Sequence, residues 1–83
     1  MLKIVGYNRF TGDNNQDVFV FHTLEDDVPE WFRGCIAGKV TASSDFIEFD
    51  NGIGFPQIGD YLEIIPNLSK KGNLYKTYKI TSP

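Results

Sequence analysis

Hydrophobic and polar residues alternate along most of the chain, in short stretches separated by turn-forming residues. A period of two is typical of β-strands, because successive side chains point to opposite faces of a sheet. Gly6 interrupts the first stretch and predicts a β-bulge there, and the Gly, Asn and Asp residues at 11–16 predict a hairpin loop. The predicted strands cover residues 2–10, 17–24, 35–42, 45 into a tight Asn51-Gly52 turn, 61–65 and 74–81.

The second predicted strand is apolar on both faces. One face holds aromatic residues, Phe19 and Phe21, and the other holds Val18, Val20, His22 and Leu24. Either the strand is buried on both sides, or its aromatic face is exposed for a partner.

The segment 25–34 breaks the strand pattern. Pro29 suits the first turn of a helix and Gly34 suits its end, so a short helical turn is predicted near 28–33.

Pro66 is expected to end the fifth strand. Five or six short strands with one helical turn predict an all-β fold, a small antiparallel barrel that is OB-like or, as second choice, SH3-like, over a single domain of residues 1–83.

Charge is distributed unevenly along the 83 residues, although the formal net charge is only −3. Residues 1–12 carry +2 and residues 64–83 carry +4, whereas residues 13–63 hold all 11 acidic residues and carry −9. If the two ends meet in space, they form a basic face on an acidic protein.

A chain of this size favours binding over catalysis, because little room is left for an active site and its supporting residues. No apolar stretch approaches the roughly 20 residues of a membrane span, and the single cysteine, Cys35, fits a reducing compartment, so we expect a cytoplasmic protein.

We expect no metal or cofactor. His22 and Cys35 are the sole residues of their kind, and Asp13, Asn15 and Asp17 begin a calcium-loop pattern that Val18 and Leu24 then break.

Lysine and arginine alternate with tyrosine in the first and last strands. Such strands can neutralise phosphates while unpaired bases stack on the rings. The alternative is a solvated face on which lysines protect a sheet edge from aggregation. The predicted nucleic-acid-binding residues are Tyr7, Arg9, Lys70, Lys71, Tyr75, Lys76 and Lys79.

The C-terminal stretch "IGDYLEIIPNLSKKGNLYKTYKITSP" is similar to the ending of small single-stranded-DNA-binding proteins of filamentous phages and rolling-circle mobile elements. The likeness lies in a Gly-x-Tyr entry to a strand, here at Tyr61, a loop glycine, here Gly72, and a final strand. The opening "MLKIVGYNRFTG" resembles the first strand and loop of the mobile-element proteins. The resemblance implies an OB-type barrel, a homodimer formed partly through the C-terminal hairpin, and cooperative binding of single-stranded DNA. Lys71 stands where the phage proteins have an aromatic residue.

A second hypothesis starts from the acidic middle of the chain. A surface of charge −9 can imitate nucleic acid and so bind and inhibit a basic host protein. Trp31, Arg33, Asp26 and Asp27 are the partner-binding residues of this alternative, although Trp31 and Phe32 also suit a plug at one end of the barrel. The acidic contacts it uses are Asp13, Asp17, Glu25, Asp26, Asp27, Glu48 and Asp50.

Overall fold

The computed structural model describes residues 1–25 and 37–83, and of Ala37 only the backbone. The described residues form six β-strands and one 3-10 turn, which confirms the all-β prediction. The helical turn predicted near 28–33 lies outside the described residues. The elements are β1 (Leu2–Thr11), β2 (Asp17–Glu25), β3 (Ala37–Ser43), the 3-10 turn (Ser44–Phe46), β4 (Ile47–Asp50), β5 (Tyr61–Leu68) and β6 (Leu74–Thr81).

The strands form one mixed sheet in the order β3-β2-β1-β5-β6-β4. Neighbouring strands are antiparallel except β4 and β6, which run parallel, so the prediction of a wholly antiparallel barrel is wrong at this pair. Parallel pairing needs a connection that crosses from one part of the sheet to another. Here the crossing consists of the β4–β5 loop and the β5–β6 hairpin.

The sheet is strongly curled, although its strands do not close into a ring of hydrogen bonds within the described residues. Strands β3 and β4 lie at opposite edges, yet only the three residues of the 3-10 turn separate them. Three residues span at most about 10 Å, so the two edges must approach each other at the turn. Phe19 of β2 packs edge-on against Phe49 of β4, with ring centroids 6.1 Å apart. The result is a partly open barrel.

The inside of the barrel holds the aromatic face of β2. Phe21 is fully buried, and Phe19 stacks on it with ring centroids 5.8 Å apart. The aromatic face is therefore the core face, and the valines and His22 lie on the outer face. The buried hydrophobic residues are Ile4, Phe19, Phe21, Ala42, Leu62 and Ile80.

A bulge bends β1 between Ile4 and Gly6, as the glycine in the first stretch predicts. Before the bulge, Leu2 and Lys3 pair with Leu62 and Tyr61 of β5, and along its length β1 pairs with β2. Bulges increase the local twist of a strand and turn it at barrel corners.

The loop between β4 and β5 is organised by two polar side chains. Asp60 is buried and accepts hydrogen bonds from Asn51 Nδ2, at 2.9 Å, and from the backbone N–H of Gln57, at 3.1 Å. Asn51 Nδ2 also donates to the carbonyl of Phe55 at 2.8 Å. Because buried polar groups are costly when unpaired, this network fixes the path of the chain into β5. The predicted tight Asn51-Gly52 turn is not formed: Gly52 has a φ of 78°, but Asn51 does not adopt a positive φ, and residues 51–55 bend gradually within the loop.

Strand β5 does not end at Pro66 but continues to Leu68, opposite Leu74 of β6, so the prediction that Pro66 ends this strand is wrong. A proline has no N–H to donate to a neighbouring strand. It is therefore tolerated in a strand where that position would face no neighbour. Strand β1 pairs with β5 only as far as Leu62 in the described part of the chain, so beyond this point one flank of β5 has no strand beside it. The ladder to β6 therefore continues past the proline.

Candidate nucleic-acid interface

The structure places the seven predicted binding residues on two hairpins. Tyr7 and Arg9 belong to β1, in the β1–β2 hairpin. The remaining five lie on the β5–β6 hairpin: Lys70 and Lys71 in its turn, and Tyr75, Lys76 and Lys79 on β6. The two groups have different surroundings.

Tyr7 and Arg9 surround the ring of Phe55. The Tyr7 ring packs edge-on against Phe55, with centroids 5.7 Å apart, and lies 6.4 Å from Phe19. The Arg9 guanidinium carbon is 5.7 Å from the centroid of Phe55, and Arg9 Nη1 is 4.0 Å from Asp17 Oδ2. Both side chains are thus used in packing one end of the core.

The lysines of the β5–β6 hairpin stand in a well-defined turn. Ser69 and Asn73 pair through their backbones at 2.8 Å, and Ser69 Oγ accepts a second hydrogen bond from the Asn73 N–H at 3.0 Å. Gly72 adopts a φ of 85°, which favours glycine because it has no Cβ. The turn holds Lys70 and Lys71 in solvent.

The cations of this hairpin differ in their partners. Lys79 Nζ lies 3.5 Å from Asp50 Oδ2, on the neighbouring strand β4. Lys70, Lys71 and Lys76 are exposed and have no ion-pair partner in residues 1–25 and 37–83. Three cations are therefore available to an anionic ligand.

Tyr75 of β6 and Phe46 of the 3-10 turn form a pair of half-exposed aromatic rings. Tyr75 is 43% exposed and Phe46, in the 3-10 turn, is 47% exposed. Their ring centroids are 6.4 Å apart and the rings are tilted by 58°. We call them the aromatic pair. Exposed aromatic rings next to lysines are the elements with which proteins bind single-stranded nucleic acid.

The segment of Phe46 alternates like a strand and therefore predicts no functional role for this residue. The missed signal is the preceding Ser43-Ser44-Asp45, a run of residues that favour helix starts. Ser43 Oγ accepts a hydrogen bond from the Asp45 N–H at 3.4 Å and so begins the 3-10 turn. The turn brings Phe46 next to Tyr75.

A groove of about 260 Å³ runs beside the aromatic pair, on β4, β5 and β6. Thr77 Oγ1 accepts a hydrogen bond from Asn67 Nδ2 at 2.8 Å, which orders the side chains next to the groove. The groove combines apolar surface with two carboxylates, those of Asp45 and Glu48. Its lining residues are Asp45, Phe46, Ile47, Glu48, Ile65, Thr77 and Tyr78.

The tip of the β5–β6 hairpin is apolar. Leu68 and Leu74 face each other across the last pair of the ladder, and they are 67% and 81% exposed. Leucines this exposed gain little from the core of their own chain, so the tip presents apolar surface to solvent.

The acidic surface of the second hypothesis is partly neutralised within the chain. Asp17 pairs with Arg9, Glu25 with the N-terminal ammonium, and Asp50 with Lys79. Asp13 and Glu48 are exposed. The four residues assigned to partner binding, Trp31, Arg33, Asp26 and Asp27, lie outside the described residues.

The residues considered for other chemistry lie apart from this site. His22 is half-buried on the outer face of β2, where its Nε2 is 3.4 Å from Asn8 Nδ2. Cys35 lies outside the described residues. In the part of the chain that the structure describes, no three His, Cys, Asp or Glu side chains are grouped closely enough to hold a metal ion.

Comparison of the chain with protein-family models, with curated proteins and with solved structures finds no match. Among the described residues, no helix has the length and apolar character needed to cross a membrane. The function is therefore inferred from the residues of this chain and their arrangement.

Proposed function

We propose that this protein binds single-stranded DNA through the β5–β6 hairpin and the adjoining 3-10 turn. The observation that carries the proposal is the aromatic pair: Phe46 and Tyr75 are half-exposed, and Tyr75 shares the β5–β6 hairpin with three lysines that have no ion-pair partner in the described chain. Rings stack on bases of any sequence, and lysines neutralise the phosphates between them.

The charge of the hairpin supports the same proposal. Residues 64–83 hold four lysines and no acid, although the whole chain is acidic. Since salt screens exposed charges beyond about 10 Å at 0.1 M, a ligand at the hairpin responds mainly to these lysines. The carboxylates of the acidic middle that lie farther away than this weaken binding little under such conditions, whereas Asp45 and Glu48, next to Phe46, oppose the lysines.

The fold is compatible with this function. Strands β3 and β4 follow each other across three residues, and counted as one broken strand they reduce the sheet to five strands in a partly open barrel. OB folds are partly open five-stranded barrels that bind oligonucleotides. A fold supports many functions, so the hairpin residues remain the stronger argument.

The proposal includes a homodimer. The exposed leucines at the hairpin tip, Leu68 and Leu74, offer an apolar surface that a second copy can cover. Together with the resemblance of the C-terminal stretch, this surface leads us to propose a DNA-binding protein of a phage or mobile element, acting in the cytoplasm.

The test is a titration of a labelled single-stranded oligonucleotide, followed by fluorescence anisotropy at about 20 mM and about 200 mM salt. With about three phosphate contacts, one for each available lysine, the slope of log K against log salt is expected near −2, because each contact contributes about −0.7 on a single strand. No binding at the lower salt concentration would contradict the proposal.

A matched pair of variants locates the binding surface. Lys70→Ala with Lys71→Ala is expected to weaken binding and to make the slope shallower by about 1.4. Lys3→Ala with Lys39→Ala removes the same charge from exposed positions on β1 and β3 and is expected to leave the slope unchanged. Equal losses in the two double variants would mean that the hairpin is not the site.

A further inference from the structure

The groove beside the aromatic pair differs in character from the rest of the hairpin. Ile65 and Tyr78 contribute apolar surface, and Asp45 and Glu48 contribute carboxylates. Lysines 70, 71 and 76 are not among its lining residues. One small surface therefore contains a cationic part and a separate part that is aromatic, apolar and anionic.

A phosphate does not suit the groove. Carboxylates repel phosphate oxygens, and an apolar surface cannot replace the water that a phosphate loses on binding. A nucleic-acid strand that follows the lysines therefore keeps its backbone outside the groove. The group that enters is a base, whose flat face suits Phe46 and Tyr75.

The carboxylates also restrict which edge of a base can face them. Glu48 lies opposite Lys79 in the β4–β6 ladder, but Lys79 Nζ is placed 3.5 Å from Asp50 Oδ2. Asp45 and Glu48 are exposed and have no ion-pair partner in the described ranges. An ionised carboxylate only accepts hydrogen bonds, so it favours a base edge that donates them.

Cytosine and thymine differ at this edge. Cytosine presents the N4 amino group, with two N–H donors that Asp and Glu accept from, whereas the single donor of unpaired thymine, N3–H, lies between the acceptors O2 and O4. Opposite an acceptor, O4 forms no hydrogen bond and is repelled.

We infer that the groove lined by Phe46, Asp45 and Glu48, with Tyr75 beside Phe46, is a base-binding subsite that takes an unpaired cytosine in preference to thymine. The inference rests on the proposed function, because the strand must first bind along the lysines. It adds a base preference to a surface whose other contacts are independent of sequence.

The test compares labelled oligo-dC and oligo-dT of equal length, titrated at the same low salt concentration. Wild-type protein is expected to bind oligo-dC at least about fivefold more tightly, which corresponds to the lower end of the discrimination that a well-placed base contact provides. Equal affinities, or tighter binding of oligo-dT, would overturn the inference. Absence of binding to either oligonucleotide would instead contradict the proposed function.

Two further variants assign the preference to named side chains. Asp45→Asn with Glu48→Gln is expected to bring the affinity ratio of the two oligonucleotides close to one, even though the loss of negative charge tightens binding of both. Asp13→Asn, at an exposed position in the β1–β2 loop, is the control and is expected to retain the ratio. An unchanged ratio in the double variant would overturn the assignment.

Phe46→Ala separates stacking from charge. This variant is expected to weaken binding of both oligonucleotides by at least about fivefold, since stacking of one base contributes about 1 kcal/mol or more. The salt slope is expected to stay the same, because no lysine has been removed. Unchanged affinity would show that no base stacks on the aromatic pair.

Discussion

The two long hairpins of this chain use their aromatic and apolar residues in opposite ways. In the β1–β2 hairpin, Phe19 and Phe21 are buried in the barrel and Tyr7 packs against them. In the β5–β6 hairpin, Leu68, Leu74 and Tyr75 are exposed. The first hairpin therefore contributes its aromatic rings to the core, whereas the second contributes Leu62 and Ile80 to the core and leaves its far end exposed.

The difference shows that aromatic and apolar residues stabilise this small barrel where they are buried and remain accessible to solvent where they are exposed. A chain of 83 residues has a limited core, so each residue left outside it reduces the stability of the fold. Substitutions in the two hairpins should accordingly act on different measurements.

The largest expected effect on stability belongs to the β1–β2 hairpin. Phe21→Ala removes a fully buried ring and is expected to lower the free energy of unfolding by about 3 to 5 kcal/mol in urea titrations. Phe46→Ala removes the same ring from an exposed position and is expected to change it by about 0.5 kcal/mol or less. Phe21→Leu keeps most of the volume and provides a milder variant. Similar losses in the free energy of unfolding for Phe21→Leu and Phe46→Ala would contradict the expected difference between buried and exposed rings.

A smaller loss in the free energy of unfolding is expected for substitutions in the loop between β4 and β5. Asp60→Ala leaves the N–H of Gln57 and the amide of Asn51 without their acceptor, at an expected cost of about 1 to 3 kcal/mol in thermal unfolding. Asp13→Ala, at an exposed carboxylate, is the control. A loss equal to that of the control would mean that the network does not stabilise the loop.

Arg9 is expected to have a modest effect. Arg9→Ala removes the contact with the Phe55 ring and the ion pair with Asp17, both partly exposed, and should cost about 0.5 to 1 kcal/mol. Arg9→Lys keeps the charge and should recover part of this loss. If Arg9→Ala instead weakens DNA binding as strongly as the loss of Lys70 and Lys71, Arg9 belongs to the binding surface.

The smallest effect on folding is expected at the tip of the β5–β6 hairpin. Leu68→Ser with Leu74→Ser should change the stability of the monomer by about 0.5 kcal/mol or less, because both side chains are exposed. The variant should sediment as a monomer, and its unfolding midpoint should no longer depend on protein concentration. A dimer that survives in this variant would place the interface elsewhere.

Local features of the fold could be predicted from the sequence because they depend on neighbouring residues. Alternation predicts the strands, Gly6 predicts the bulge, and residues 11–16 predict the hairpin loop. The structure contains each of these features, with strand ends that differ by a few residues. The parallel pairing of β4 with β6 could not be predicted, because it depends on contacts between residues far apart in the sequence. The error at Pro66 has a similar cause, since a proline is tolerated where its strand loses a neighbour.

The candidate site follows the same division. The lysines of residues 64–83 are evident from their order in the chain, and the structure places Lys70, Lys71 and Lys76 on one hairpin. Phe46 lies in the 3-10 turn between β3 and β4, far from Tyr75 in the sequence. The two rings are brought together only when the chain folds. Tyr7 and Arg9 share the alternation of a binding strand, but the packing of Phe55 decides what they contact.

Pro66 has a consequence for solubility at high protein concentration. A hairpin that has a leucine tip and, among residues 1–25 and 37–83, no strand along one flank resembles the segments that add strands from other molecules and grow into fibrils. The proline interrupts that flank, because it offers no N–H to an incoming strand. The edge behind the tip thus resists extending the sheet from one molecule to the next.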